Sequence, residues 1–315
     1  MVKFIFITGT FRSSTTLTSR ILNAHPDVQV YSDLSVYSRF HSLDNQNYND
    51  KEREIMSRIL LRRNERLKHN NETNFISSID HWINILNRLE SRNSKPIVGE
   101  KCVLEWHNVP SILNHPHTAT IHTIRDPRSV LVSWKKMTNA PLPKYLDALA
   151  NCLNSMIHGL LYMKEFSENR YIPFIYEKFV ENPEEYILDI QRKLNLNLNL
   201  DCLNSNNWTL DGKKYSSSSM HGKISDTSQA KERSWKNHIT PVEEYIFNTY
   251  FPDWVMKAYG FEKKRTTIEI DKEEVSKTIT DKFINESIDS LNSTGLRRFP
   301  SDFRDPKTWM KPFFE

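Results

Sequence analysis

The chain has 315 residues, of which 38% are hydrophobic and 26% are charged, and its formal net charge is +4. This composition indicates a globular protein, and the weak positive charge suits a polyanionic ligand without indicating nucleic-acid binding. Three widely spaced cysteines and the lack of any apolar run near ~18 residues argue against a disulfide framework, a zinc site and a membrane span. An apolar strand beginning at Lys3 leaves no room for a signal peptide, so we expect a cytoplasmic protein.

Short apolar segments alternate with amphipathic stretches along the first two thirds of the chain. The predicted strands are residues 3–8, 27–31, 96–101, 118–125 and 171–176. The predicted helices are residues 15–24, parts of 51–92, 127–137, 144–167 and 183–194. This alternation predicts an α/β fold with a mainly parallel central sheet. In such sheets ligands bind beyond the carboxyl ends of the strands, where this sequence places polar and charged residues.

Three regions fall outside that pattern. Residues 34–95 are predicted to form a helical insertion, either a solvated helix with one apolar stripe or a lid over an acceptor substrate. Residues 201–240 are rich in Ser, Asn and Lys and are predicted to form a long loop. We divide the chain into a domain over 1–262 and a charged C-terminal extension over 263–315, and the sequence does not indicate the oligomeric state.

The stretch TGTFRSSTTLTSRIL, residues 8–22, predicts a strand, a tight loop and a helix. Its loop combines several hydroxyl side chains with one guanidinium, Arg12, at a helix N-terminus that suits an anion. When the loop is aligned with the nucleoside-triphosphate pattern GxxxxGK[ST], Thr15 occupies the lysine position. The loop therefore keeps a phosphate cradle but lacks the lysine used in phosphoryl transfer.

A second motif, HTIRDPRSVLVSWKK, covers residues 122–136. Arg125 ends a predicted strand, Asp126 can cap the following helix, and Pro127 suits its first turn. Ser133 lies about two turns into that helix. An arginine and a hydroxyl at this spacing can hold a second phosphate through charge-assisted hydrogen bonds, although the motif alone is equally compatible with an ordinary strand–helix junction.

Four segments together resemble the PAPS-dependent sulfotransferases, where PAPS is 3′-phosphoadenosine 5′-phosphosulfate. They are TGTFRSSTTLTSRILNAHPDV, GEKCVL, IRDPRSVLVSW and YEKFVENPEEY. The resemblance runs from about residue 3 to residue 260 and is greatest to the tyrosylprotein sulfotransferases and related bacterial enzymes. It implies a P-loop-like three-layer fold and transfer of a sulfuryl group from PAPS to an acceptor hydroxyl. One departure is Ser14, where the family usually has glycine; serine is tolerable there at negative φ and costly at positive φ.

The resemblance also implies a nucleotide site with two anion-binding parts. The residues that would hold the 5′-phosphosulfate are Arg12, Ser13, Ser14, Thr15 and Thr16. Those that would hold the 3′-phosphate are Arg125 and Ser133, with Tyr176 near the adenine or the acceptor and Arg233 on a late basic loop. The tyrosylprotein enzymes carry a further basic residue where this chain has Met137, with Lys135 and Lys136 as candidate substitutes.

For catalysis the resemblance points to Asp33 as general base and to Lys101 and Arg12 as stabilisers of the transferring group. Asp33 can also be interpreted as a helix N-cap, and Lys101 as a surface lysine at a strand end. Glu100 and His122 are weaker base candidates, because strand alternation turns each away from its polar neighbour. No metal is expected, since arginine and lysine supply the positive charge.

Two alternatives stay open from the sequence. One is a kinase of related architecture that uses ATP, and the other is a non-catalytic protein that binds PAPS or its product 3′-phosphoadenosine 5′-phosphate (PAP). The acceptor can be a sugar, a tyrosine, a lipid or a small metabolite. Its specificity is expected from residues 34–95 and 201–230, and these residues match no pattern that identifies an acceptor.

Overall fold

The computed structural model describes residues 2–32, 79–90, 95–138, 143–210, 213–214 and 234–261. Its main sheet has five strands: β1 (Phe4–Gly9), β2 (Val28–Ser32), β3 (Ile97–Lys101), β4 (Thr118–Ile124) and β5 (Tyr171–Ile175). Their order across the sheet is β2-β3-β1-β4-β5, and every neighbouring pair is parallel. This confirms the α/β fold with a parallel sheet, and the five predicted strands match these to within a residue or two at their ends.

The helices predicted over 15–24, 127–137, 144–167 and 183–194 are confirmed to within two residues at their ends, one helix falls within 51–92, and four further helices of the described residues were not predicted. The described helices are α1 (Thr15–Ala24), α2 (Ile79–Glu90), α3 (Val109–Leu113), α4 (Pro127–Thr138), α5 (Pro143–Glu165), α6 (Tyr176–Glu181), α7 (Pro183–Lys193), α8 (Pro241–Tyr250) and α9 (Asp253–Ala258). Short 3₁₀ turns occupy Trp106–Asn108, Asp201–Leu203, Ser205–Asn207 and Ser234–Asn237. One prediction placed Tyr176 at the end of β5, whereas the chain turns into α6 at that residue.

The sheet is covered on both faces, which gives three layers. On one face, Ile5 and Ile7 of β1 pack in one apolar cluster with α1 and α7. On the other face, the Phe6 ring contacts the Trp82 ring of α2 edge-on at 5.7 Å. Also on that face, His122 of β4 is hydrogen-bonded to Ser155 of α5. Both faces of β1 are buried and its sequence is mainly apolar, as is usual for parallel sheets, whereas β4 also buries four polar residues, Thr118, Thr120, His122 and Thr123.

The prediction of a long loop over 201–240 was wrong for its first part. Residues 201–210 form two 3₁₀ turns and strand β6 (Thr209–Leu210), which pairs with β7 (Lys213–Lys214). Cys202 and Trp208 anchor this segment in the core, where both are 1% exposed, and the Trp208 indole donates to the Cys202 carbonyl over 2.8 Å. Burial of these two side chains overrides the polar composition around them.

Much of the predicted insertion and all of residues 263–315 lie outside the described residues, so the proposed domain division stays a prediction. Within the insertion, α2 is described; Trp82 donates its indole hydrogen to Glu100 over 2.6 Å. In the described ranges, no helix combines the length and apolar character required to traverse a lipid bilayer.

Candidate active site

The carboxyl ends of all five strands meet at one edge of the sheet, because the strands are parallel. Gly9, Ser32 and Lys101 end the first three strands along the chain, and Arg125 and Tyr176 directly follow the other two. The structure therefore brings the ends of the two sequence motifs to the same edge as Lys101.

The loop between β1 and α1 depends on close backbone approach at Gly9. A Cβ atom on Gly9 would lie 2.5 Å from the Thr123 carbonyl oxygen and 2.7 Å from Ser13 Oγ, closer than such atoms approach. Ser13 Oγ donates to the Thr10 carbonyl over 2.7 Å and lies 2.7 Å from Thr123 Oγ1. The Ser13 side chain thus ties the loop to β4, and the Ser13 backbone N–H also donates to the Thr10 carbonyl over 3.3 Å, so Ser13 is engaged within the loop.

Ser14 adopts the left-handed conformation, with φ 85° and ψ 10°. This is the costly case for the serine at the family's glycine position, since a Cβ is strained at such a φ. The Ser14 hydroxyl does not cap α1, and the first turn of α1 contains no acidic residue. Its buried Oγ has no hydrogen-bond partner in the described part of the chain. The positive end of α1 therefore faces the loop uncompensated by a carboxylate.

Arg12 and Ser133, assigned to different phosphates by the sequence, are in direct contact. The Arg12 Nε–H donates to Ser133 Oγ over 2.8 Å, and Arg12 itself has φ 65°. Arg125 Nη1–H donates to the Arg12 carbonyl over 3.1 Å. The 5′ loop and the 3′ motif consequently form one contiguous cationic cluster. Burial lowers the pKa of the Arg12 guanidinium, and the nearby positive charge of Arg125 lowers it further.

The Arg125 guanidinium lies over the Tyr176 ring, 4.3 Å from its centroid. Its buried Nε–H has no hydrogen-bond partner among the described residues. The predicted cap is confirmed, because Asp126 Oδ1 accepts the Arg128 backbone N–H over 2.9 Å at the start of α4. The guanidiniums of Arg12 and Arg125 therefore lie beside two helix N-termini, and Arg125 has an N–H without a partner among the described residues. An anionic ligand would stabilise this arrangement.

Lys101 ends β3 and is 7% exposed, which argues against its interpretation as a surface lysine. The two weaker base candidates point into the interior. Glu100 is fully buried and accepts from Trp82, while His122 contacts Tyr171 Oη at 2.6 Å. Burial lowers the pKa of His122 to about 3, so the imidazole is neutral near neutral pH.

Two predicted site residues, Asp33 and Arg233, lie outside the described residues, although each adjoins a described element. Asp33 directly follows β2, and Arg233 directly precedes the turn that contains Trp235. The Trp235 ring lies 3.9 Å from the Arg128 guanidinium, which brings this late segment onto α4. Lys135, a candidate substitute for the missing basic residue, instead pairs with Glu243 at 2.8 Å.

Sequence reasoning missed Glu177, whose Oε1 accepts the Asp126 N–H over 3.1 Å. Burial, and to a lesser degree the Asp126 carboxylate, raise the pKa of Glu177 to about 7 against the opposing effect of Arg125. The available signal was its position directly after Tyr176 at the end of a strand. Because Glu177 interacts electrostatically with Arg125, its ionisation changes the net charge of the site.

Comparison with family models decides the class of protein. The model described as the sulfotransferase family matches residues 5–199, which include both anion-binding motifs. The chain belongs to the sulfotransferase family. It is therefore an enzyme that transfers a sulfuryl group, and the kinase and non-catalytic alternatives are not favoured. No curated protein matches the sequence.

Solved sulfotransferase structures match most of the chain at low sequence identity. The sulfotransferase domain of the Synechococcus PCC 7002 olefin synthase is 16% identical, with a TM-score of 0.47, and the match covers 88% of this chain and 94% of that one. The mouse sulfotransferase SULT7A1 complexed with PAP is 15% identical, with a TM-score of 0.47 and coverage of 81% and 85%. Retinol dehydratase in complex with retinol and PAP is 13% identical, with a TM-score of 0.42 and coverage of 85% and 83%.

Proposed function

We propose that this sulfotransferase uses PAPS as the sulfuryl donor and an acceptor hydroxyl as the second substrate. The observation that carries the proposal is the contact between Arg12 and Ser133, with Arg125 donating to the Arg12 backbone. A single phosphate does not require two arginines on separate elements and two helix N-termini. A nucleotide with charge at both its 5′ and 3′ positions does, and PAPS is such a nucleotide.

The residues present fit this donor. The N–H groups at the start of α1 and the hydroxyls of Thr15 and Thr16 are suited to the 5′-phosphosulfate. The unpaired Nε–H of Arg125 is suited to the 3′-phosphate, and the half-buried Tyr176 ring supports that guanidinium from below. We assign Ser133 to both parts of the nucleotide site, because Arg12 of the 5′ loop donates to its hydroxyl.

The transfer is an in-line displacement at sulfur. The acceptor oxygen forms a bond to sulfur while the bond from sulfur to the 5′-phosphate oxygen breaks, and that oxygen leaves with the electron pair. We assign Asp33 as the base that takes the acceptor proton, since it directly follows β2 at the edge where β3 ends in Lys101. Lys101 and Arg12 stabilise the negative charge that develops on the leaving phosphate, and no divalent metal is required.

The test compares the affinity of the protein for PAP and for AMP by calorimetry. A charge-assisted hydrogen bond contributes about 1.5–3 kcal/mol, so PAP should bind about ten- to a hundredfold more tightly than AMP. Arg125→Ala should remove that advantage, while Arg192→Ala, an exposed arginine on α7, should not. Equal affinity of the wild-type protein for the two nucleotides would contradict the proposal.

A further inference from the structure

Glu177 connects two elements of the nucleotide site that are distant in sequence. It lies in the first turn of α6, and its Oε1 accepts the backbone N–H of Asp126 over 3.1 Å. Asp126 follows Arg125 and precedes the first residue of α4. Glu177 therefore holds the junction from which Arg125 extends.

The preceding residue holds the same junction from another side. The Tyr176 ring contacts the Arg125 guanidinium at 4.3 Å, while Glu177 contacts the backbone of the next residue. Two consecutive residues of α6 thus fix the side chain of Arg125 and the peptide group that follows it. A change in the charge of Glu177 acts directly on the arginine assigned to the 3′-phosphate.

The second carboxylate oxygen of Glu177 is buried without a partner. Within the described part of the chain, neither Glu177 Oε2 nor the Arg125 Nε–H makes a hydrogen bond. Burial of Glu177 and the neighbouring Asp126 carboxylate favour its protonated form, and Arg125 favours its ionised form. The balance places its pKa at about 7, so both forms are populated near neutral pH.

Glu177 is surrounded by several charged groups and adjoins a cleft through which a proton can reach it. Asp126 forms an ion pair with Arg128 at 2.7 Å. Arg125 forms no ion pair with a described carboxylate, and its positive charge acts on Glu177. A cleft of about 110 Å³ adjoins Glu177. The other charged or titratable groups that face Glu177 from its own helix and from the elements packed against it are Lys178, Glu181, Tyr186 and Tyr259.

We propose that Glu177 is a positioning residue that gains a proton from solvent when a 3′-phosphate binds at Arg125, and so couples nucleotide affinity to pH. The phosphate repels the carboxylate and takes over the attraction of Arg125, and both effects favour the neutral acid. The proton bonds to Oε2, while Oε1 continues to accept the Asp126 N–H, so the junction keeps its geometry. This inference rests on the proposed binding of PAPS and extends it.

The sign of the effect follows from linkage. Binding that raises the pKa of an acid takes up a proton, so affinity falls as pH rises through the pKa of the free protein. We expect PAP affinity to fall about five- to twentyfold between pH about 6.5 and 8.5. Phosphate monoesters titrate near pH about 6, so the ligand's own ionisation changes little in this window. AMP lacks the 3′-phosphate and should show a much smaller change.

The decisive experiment measures PAP affinity by calorimetry across this window for the wild-type protein, Glu177→Gln and Glu181→Gln. Glu177→Gln keeps an oxygen for the Asp126 N–H but cannot titrate, so its affinity should vary less than twofold. Glu181→Gln changes an exposed carboxylate on the same cleft and should behave as wild type. An unchanged pH dependence in Glu177→Gln overturns the inference.

A second measurement needs no variant. Wild-type binding of PAP at pH about 7.5, measured in two buffers of different ionisation enthalpy, should report net proton uptake between about 0.3 and 1 per nucleotide. No uptake overturns the inference even if Glu177→Gln fails to fold. If PAP does not bind at any pH, the proposed function fails and the inference fails with it, whereas binding without proton linkage overturns the inference alone.

Discussion

Arg12 donates its Nε–H to the Ser133 hydroxyl over 2.8 Å, although 121 positions separate the two residues in the chain. The contact joins the loop after β1 to the second turn of α4. It holds the Arg12 side chain across the sheet edge while its backbone stays in the left-handed region. The serine thus has two roles in the proposed site, as a ligand of the nucleotide and as the support of an arginine.

Ser133→Ala should weaken PAP binding by about tenfold, because one hydrogen bond to a charged group is lost and Arg12 loses a support. AMP binding should also weaken, since Arg12 belongs to the 5′ part of the site. Calorimetry with both nucleotides measures this. Ser167→Ala, which changes an exposed serine at the opposite edge of the sheet, provides the matched control. Loss of PAP affinity alone would mean that Ser133 does not support Arg12.

Substitution of Asp33 and Lys101 should separate chemistry from binding. General-base catalysis contributes about 10²–10⁴ in rate, so Asp33→Asn should lower turnover by that order and leave PAP affinity within about twofold. Lys101→Ala should lower turnover similarly, because it removes charge beside the leaving group. Single-turnover rates on a verified acceptor provide the measurement. Wild-type turnover in Asp33→Asn would favour its interpretation as a helix cap.

The loop conformation makes Ser14→Gly a stabilising change. A left-handed φ costs an L-residue about 1–2 kcal/mol, and the greater freedom of glycine in the unfolded chain offsets part of that gain. Ser14→Ala removes the same hydroxyl but retains the Cβ, so the difference between the two variants isolates the backbone effect. Ser14→Gly should be the more stable by about 1 kcal/mol in urea unfolding. The reverse order would show that Ser14 is not strained.

Gly159 allows Tyr259 to dock on α5. A Cβ on Gly159 would collide with the Tyr259 hydroxyl, which donates to the Met156 carbonyl over 2.7 Å. Gly159→Ala should therefore destabilise the protein by about 1–3 kcal/mol. Tyr259→Phe removes the colliding oxygen, so the double variant should recover part of that loss. Strictly additive effects in the double-mutant cycle would refute a direct contact.

His122 should make stability depend on pH. Its folded pKa of about 3 is below the unfolded value of about 6.5, so the unfolded chain binds more protons between these values. The free energy of unfolding should therefore fall as pH drops below about 6.5, by at most about 1.4 kcal/mol per pH unit from this residue. His122→Gln should show a shallower dependence than wild type, whereas substitution of the exposed His117 should not change it.

The sheet was predictable because short segments rich in β-branched and aromatic residues alternate with helical patterns, and burial on both faces favours such segments. The strand, loop and helix over residues 8–22 were predictable because an apolar run, a cluster of hydroxyl residues and a helical apolar pattern follow one another there. The strand order was not, since nothing local in β1 shows that its neighbours are β3 and β4.

The features that were not predicted depend on contacts between segments that are distant in sequence. The contact between Arg12 and Ser133 depends on the relative placement of two helices, which neither motif determines by itself. Glu177 was overlooked because its position at a strand end does not show that it is buried beside Asp126, which depends on how α6 packs against the start of α4. The 3₁₀ turns of 201–210 were hidden by polar composition, although Trp208 anchors them.

The central position of β1 has a consequence for synthesis of the chain. Of the five strands in the main sheet, β1 is synthesised first, yet its hydrogen-bonding neighbours are residues 97–101 and 118–124. Until β4 has been made, an edge of this fully buried strand is unpaired, and such edges invite association with other chains. Chains terminated before Tyr176 would lack the support of Arg125 and should accumulate as aggregates rather than as folded, nucleotide-binding fragments.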